Sequence, residues 1–211
     1  MSNKTLILPE NINEITLGQY QRFELLNKRT DLNELSYNKR VIEIFTELKY
    51  RDIGNISNKD YTDILLQLNT AMNQECKFKN TFKIQDVEFG FIPNFDDLGT
   101  DEQQALNTGE YIDGIGYLEV ENFHKLMAVL FRPITKRDKF GNYEIESYNG
   151  TKHYASIMKL MPMNIVNGAL GFFFQLSNEL REHIQRSTAE VELLKVVKHQ
   201  DISRNGVGIV Q

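Results

Sequence analysis

The chain has 211 residues, 24 basic and 29 acidic side chains, a formal net charge of -5 and a single cysteine. A chain of this size can bury a core without disulfide or metal support, and its negative balance excludes a phosphate-neutralising surface as the main activity. Cys76 has no partner for an internal disulfide, which fits a reducing compartment.

Ser2–Thr16 reads as an extended segment in which the apolar run Leu6–Leu8 ends at Pro9; without a basic, then apolar leader, no signal peptide is expected. Thr16 is placed to cap a helix carrying Leu17, Tyr20, Phe23 and Leu26 at helical spacing, fading around Lys28–Thr30. A second helix is expected over Asn33–Tyr50, with Leu35, Val41, Ile42, Phe45 and Leu48 as its apolar stripe. Gly54 breaks it. Ser57, with Asp60 three residues on, caps a third helix whose buried face is Tyr61, Ile64, Leu65 and Leu68. The period then changes. Phe82, Ile84, Val87, Phe89 and Phe91 alternate with polar residues about Gln85–Asp86, so Thr81–Ile84 and Val87–Ile92 are expected to form a β-hairpin that Pro93 ends.

Asp96–Tyr117 is acidic and glycine-punctuated, with short helices expected near Asp101–Leu106 and Thr108–Ile112. Glu119–Arg132 is a strong helical pattern stopped by Pro133. Thr135–Gly150 reads as a polar loop with the turn pair Gly141–Asn142. A helix over Thr151–Met161 is interrupted by Pro162, and the longest helix is expected from Met163 to Lys198, apolar in its first half and charged in its second. Asp201–Gln211 is a tail with the apolar beads Val207, Ile209 and Val210. The runs Leu126–Phe131 and Ala169–Phe174 fall far short of the roughly 20 apolar residues of a membrane helix. The expected fold class is mainly α: a helical domain over 17–200 with an inserted β-hairpin near 81–92, a long C-terminal helix, an extended N-terminal arm over 1–16 and a C-terminal tail over 201–211.

The chemistry-bearing residues are scattered. His124, His153, His183 and His199 lack the three- or four-residue spacing of a zinc site, and no second cysteine joins them. Cys76 sits in the polar run Asn73–Asn80, outside any nucleophile context, and reads as an incidental thiol. His124, in an apolar run, can be an acid/base or switch residue, but a satisfied helix-boundary histidine is the simpler reading. The glycines of Gly114–Glu119 lack the third position and the preceding strand of a dinucleotide loop. Asp96, Asp97, Asp101, Glu102, Glu110 and Asp113 crowd one region, as calcium ligands or a glycosidase pair would, yet without EF-hand spacing they read as solvated or as a docking surface for a basic partner. Lys136–Lys139, flanked by Phe140 and Tyr143, can touch nucleic acid by charge and stacking, or be an ordinary exposed loop. No catalytic residue, cofactor or metal is expected.

Three stretches resemble virion-associated proteins of tailed phages infecting Bacteroidetes hosts, including the crAss-like group: "LPENINEITLGQYQRF" (Leu8–Phe23), "EYIDGIGYLEVENFHKLMAVLFRPIT" (Glu110–Thr135) and "MPMNIVNGALGFFFQL" (Met161–Leu176). The resemblance implies a non-enzymatic structural role in the head–tail region, as a ring protein beside the portal, a tail hub or a tail-completion protein. Such parts form rings, commonly of twelve copies, so the expected partners are other copies of the chain and portal, tail or neighbouring ring proteins. No membrane is implied, DNA enters only as passing cargo, and the expected location is the virion after synthesis in the host cytoplasm. The rival expectation is a tail assembly chaperone absent from the mature particle. Residues expected at subunit interfaces are Leu6, Ile7 and Leu8 in the arm, Gln85 and Asp86 at the hairpin tip, and Val207, Ile209 and Val210 in the tail.

Overall fold

The computed structural model describes residues 6–46, 48–94, 99–100, 102 and 119–175. The chain divides into two compact units, Met1–Ala169 and Leu170–Gln211; of the second, only 170–175 are described, and they are helical. The expected short helices near 101–106 and 108–112, the helix beyond 175 and the tail with Val207, Ile209 and Val210 lie outside the described residues.

Side-chain caps set the helix starts at Ile12, Leu17, Glu34 and Asn58. Asn11 caps a single 3-10 turn at Ile12–Glu14, where Ile12 and Ile15 are already buried. Thr16 then starts α1 (Leu17–Asn27) with a full capping box: its hydroxyl accepts the Gln19 N–H at 3.3 Å, and Gln19 Oε1 accepts the Thr16 N–H at 2.8 Å. Asn33 caps α2 (Glu34–Phe45), where Val41, Ile42 and Phe45 are buried while Leu35 faces solvent. α2 stops at Phe45 because Thr46 turns extended and its hydroxyl closes on Ile42 O at 2.7 Å; a separate short α3 (Tyr50–Ile53) follows. Ser57 caps α4 (Asn58–Met72), whose inner face is Ile64, Leu68 and Ala71.

β1 (Thr81–Ile84) and β2 (Val87–Phe91) form the expected antiparallel hairpin, Thr81 opposite Gly90 and Ile84 opposite Val87. Its turn places Gln85 at φ 53°, a left-handed conformation that glycine or asparagine adopts more easily. After the turn at Val120–Asn122, α5 (Phe123–Leu130) is buried from Leu126 to Leu130.

Beyond Leu130 the structure departs from the expected helix and polar loop. The chain passes without a loop from α5 into β3 (Phe131–Arg137), which pairs with β2 through Phe91–Phe131 and Phe89–Pro133. β4 (Tyr143–Ile145) adds to the other side of β3, with a register shift between Ile134 and Lys136. The result is a four-stranded antiparallel sheet in the order β1-β2-β3-β4. Together with the seven helices among the described residues, it makes the fold mixed α/β, which corrects the mainly helical domain with one inserted hairpin. The physical reason is Pro133. It cannot continue a helix, and its ring pushes Arg132 out of the helical region, so the run 131–137 becomes extended.

α6 (Lys152–Met158) packs on α5, and α7 begins at 163 with Met163, Ile165, Val166 and Ala169 buried. Between them, the connection 159–163 pairs with the entry to α1. Leu17 N–H donates to Met161 O and Gly18 N–H to Lys159 O, both at 2.8 Å, and Met163 N–H returns to Ile15 O at 2.8 Å. One sheet face is aromatic: Phe82 stacks on Phe89 at 5.5 Å, and Phe131 meets Phe82 and Phe91 edge-on at 5.0 and 5.1 Å.

Candidate functional site

Three of the chemistry-bearing residues singled out in the sequence, Cys76, His124 and Glu102, lie among the described residues with defined polar neighbours. Cys76 Sγ is half-buried and contacts only the nearby Gln74 carbonyl, at 3.5 Å, among the described residues. The Gln21 amide, on α1, donates to Val120 O at 2.8 Å and Glu121 O at 3.0 Å, which fixes its orientation; its nitrogen lies 3.0 Å from His124 Nδ1. Both amide protons are thereby engaged by the two carbonyls, so the site of the His124 ring proton is a matter of its tautomer and is not set by Gln21. Burial, then the ammonium groups of Lys159 and Lys125, push the His124 pKa down to about 4 against a smaller upward effect from the Glu121 backbone, so the ring is neutral at pH 7. Of the acidic group, only Glu102 lies among the described residues; Asp96, Asp97, Asp101, Glu110 and Asp113 lie outside them, as does Gly114–Leu118. Glu102 is not solvated. Its side chain is 9% exposed; one oxygen lies 2.7 Å from Arg132 Nη2 and the other accepts the Gly99 N–H at 2.9 Å. The Arg132 contact is an ion pair rather than an aligned hydrogen bond, and Arg132 Nε is left without a hydrogen-bond partner. Among the described residues, no group of three His, Cys, Asp or Glu side chains could hold a metal ion.

Two surface features remain. The first is the β3–β4 tip, Asp138–Asn142. Asp138 organises it: one carboxylate oxygen accepts the N–H groups of Phe140 and Asn142 at 2.8 and 2.9 Å, and the other accepts Asn142 Nδ2 at 2.8 Å. Asp138 N–H bonds Asn142 O at 2.9 Å, and Gly141 completes the turn at φ 91°. The Asn142 side chain, ahead of the backbone N–H bonds, holds the Asp138 carboxyl below the usual carboxylate range. At the apex, Phe140 is 77% exposed, with the Lys139 ammonium 5.0 Å from its ring centroid. The basic charge of this loop is largely spent: Lys136 pairs with Glu144 and Arg137 with Glu88, both at 2.9 Å. Only Lys139 has no ion pair with a described residue, which disfavours a nucleic-acid surface.

The second feature surrounds the N-terminal segment. Leu6 and Leu8 are half-buried, while Ile7 is 70% exposed and lines a groove of about 560 Å³ with Pro9 and Ile44. Glu14, Glu43 and Arg22 also line it. Arg22 donates to Ile44 O at 3.2 Å and Glu43 is bound by Arg40 at 2.6 Å. Glu14 accepts the Glu10 N–H and the Asn11 amide, at 3.0 and 2.8 Å, and has no ion pair with a described residue. Gln85 and Asp86 are exposed at the β1–β2 turn. In sequence, Ile7, Gln85 and Asp86 read as separate contacts, and the tip as a basic, aromatic-flanked loop that could touch nucleic acid or be ordinary exposed surface. Its overlooked signal was an aspartate three residues before a Gly-Asn pair, the pattern of a self-bonded turn.

No family model matches the chain, and neither the curated proteins nor the solved structures give a match.

Proposed function

We propose that the chain is a non-enzymatic structural component of a tailed-phage particle, a ring or tail-hub protein at the head–tail connection, acting by homo-oligomerisation and by docking to neighbouring virion proteins. One observation supports the reading above others: the three stretches that resemble phage virion proteins, far apart in sequence, converge in space. Gln21 of the first bonds Val120, Glu121 and His124 of the second, and Leu17 of the first bonds Met161 of the third. The resemblance thus falls on one packed kernel rather than on unrelated surface segments. In this reading the partners are further copies in a ring, with portal, tail or neighbouring ring proteins above and below, and DNA passes as cargo.

The test is mass spectrometry of purified particles together with electron microscopy of the head–tail region. Stoichiometric presence at a fixed axial level is the expected result. Absence from mature particles, with binding to other phage proteins during assembly, overturns the reading in favour of a tail assembly chaperone.

A further inference from the structure

The tip and the groove complement each other. The tip offers an aromatic ring with a lone ammonium beside it, on a loop whose hydrogen bonds are satisfied and whose shape is fixed before any contact. A pre-organised aromatic anchor loses little freedom on docking, and such anchors dominate interface energies. The groove offers apolar walls at Ile7, Pro9 and Ile44, with the carboxylate of Glu14 at its edge lacking an ion pair among the described residues. Its described lining comes from the N-terminal segment, α1 and α2 with the residues just after it, and includes nothing from β3 or β4. Phe140, exposed in the single chain, therefore does not fill its own groove. An anchor and its receptacle on different parts of one chain make a head-to-tail contact, the kind that generates closed rings.

We propose that the β3–β4 tip of one copy seats in the groove of a second copy, with Phe140 against Ile7, Pro9 and Ile44 and Lys139 paired with Glu14. This rests on the oligomerisation reading above and specifies its contact. Sedimentation velocity of the full chain over a concentration series tests it. Phe140→Asp leaves the fold intact by circular dichroism, because the ring is exposed, and weakens self-association at least about tenfold. Lys139→Glu and Glu14→Lys each weaken it alone, and an equimolar mixture of the two recovers association. In a Cys76→Ser background, a tagged Phe140→Cys chain and an untagged Ile7→Cys chain cross-link to each other. Oligomers that persist in Phe140→Asp, with no cross-link, overturn the tip contact and leave oligomerisation standing. A wild-type chain that stays monomeric throughout overturns both.

Discussion

At the scale of single residues, the buried polar groups set the demands that packing must meet. His124 is held neutral by its surroundings. Its proton-binding affinity in the folded state is below that of an ordinary histidine, so protons favour the unfolded chain as the pH falls. Its contribution to stability is complete above about pH 6.5 and erodes as the pH falls towards 4, because the protonated ring would be buried beside the ammonium groups of Lys159 and Lys125. Melting midpoints measured from pH 7.5 down to 4.5 should fall less steeply in His124→Gln than in the wild type. Arg132 and Glu102 are 8% and 9% exposed, so removing one charge strands the other. Arg132→Met is expected to cost about 3–5 kcal/mol in urea unfolding, and the added Glu102→Gln to recover much of it. Gly90 is a steric requirement: a Cβ there would lie 2.5 Å from the Tyr143 ring, whose hydroxyl donates to Phe91 O at 2.9 Å. Gly90→Ala should cost about 1–3 kcal/mol by the same measurement.

Among the elements, the helices and the first hairpin were legible because their signals are local. Thr16, Asn33 and Ser57 cap where their side-chain oxygens reach the third backbone N–H, and the alternation about Gln85–Asp86 marks two strands. β3 was not legible, because Leu126–Phe131 is continuously apolar and hides where helix gives way to strand. Pro133 signals that the helix must end, but that the chain then joins a sheet depends on the long-range pairing of Phe131 with Phe91. β4 was hidden because three residues are too few to show a period. The candidate tip was partly visible: the cations and Phe140 stand out in sequence, whereas the Glu144 and Glu88 partners that neutralise two of them depend on strand register. Asp138→Ala should speed amide exchange at Phe140 and Asn142 while leaving the global unfolding midpoint nearly unchanged, since the bonds lost are confined to an exposed turn. Gly168 on α7 admits the passing chain so closely that a Cβ would sit 2.6 Å from Lys77 O, a backbone atom. Gly168→Ala is therefore expected to lower stability by about 1–3 kcal/mol, read from the denaturant midpoint.

For the molecule as a whole, segments remote in sequence are tied together near the entry to α1, where the connection 159–163 and the turn before α5 both bond to it. Exposed Ile7 and Phe140 lie outside that kernel, so a surface substitution at either should alter assembly without altering folding. Removing residues 205–211, with Val207, Ile209 and Val210, should likewise reduce oligomer mass in light scattering and leave the circular dichroism spectrum unchanged. The direct passage from α5 into β3 has a mechanical consequence. With no slack between Leu130 and Phe131, a pull at Phe140 runs down the strand into the helix and on to the turn that Gln21 grips. The antiparallel pairing of β3 with β2 resists that pull in shear, its hydrogen bonds loaded together, so strain at the tip passes into the sheet and the α1–α5 junction instead of stretching a loop.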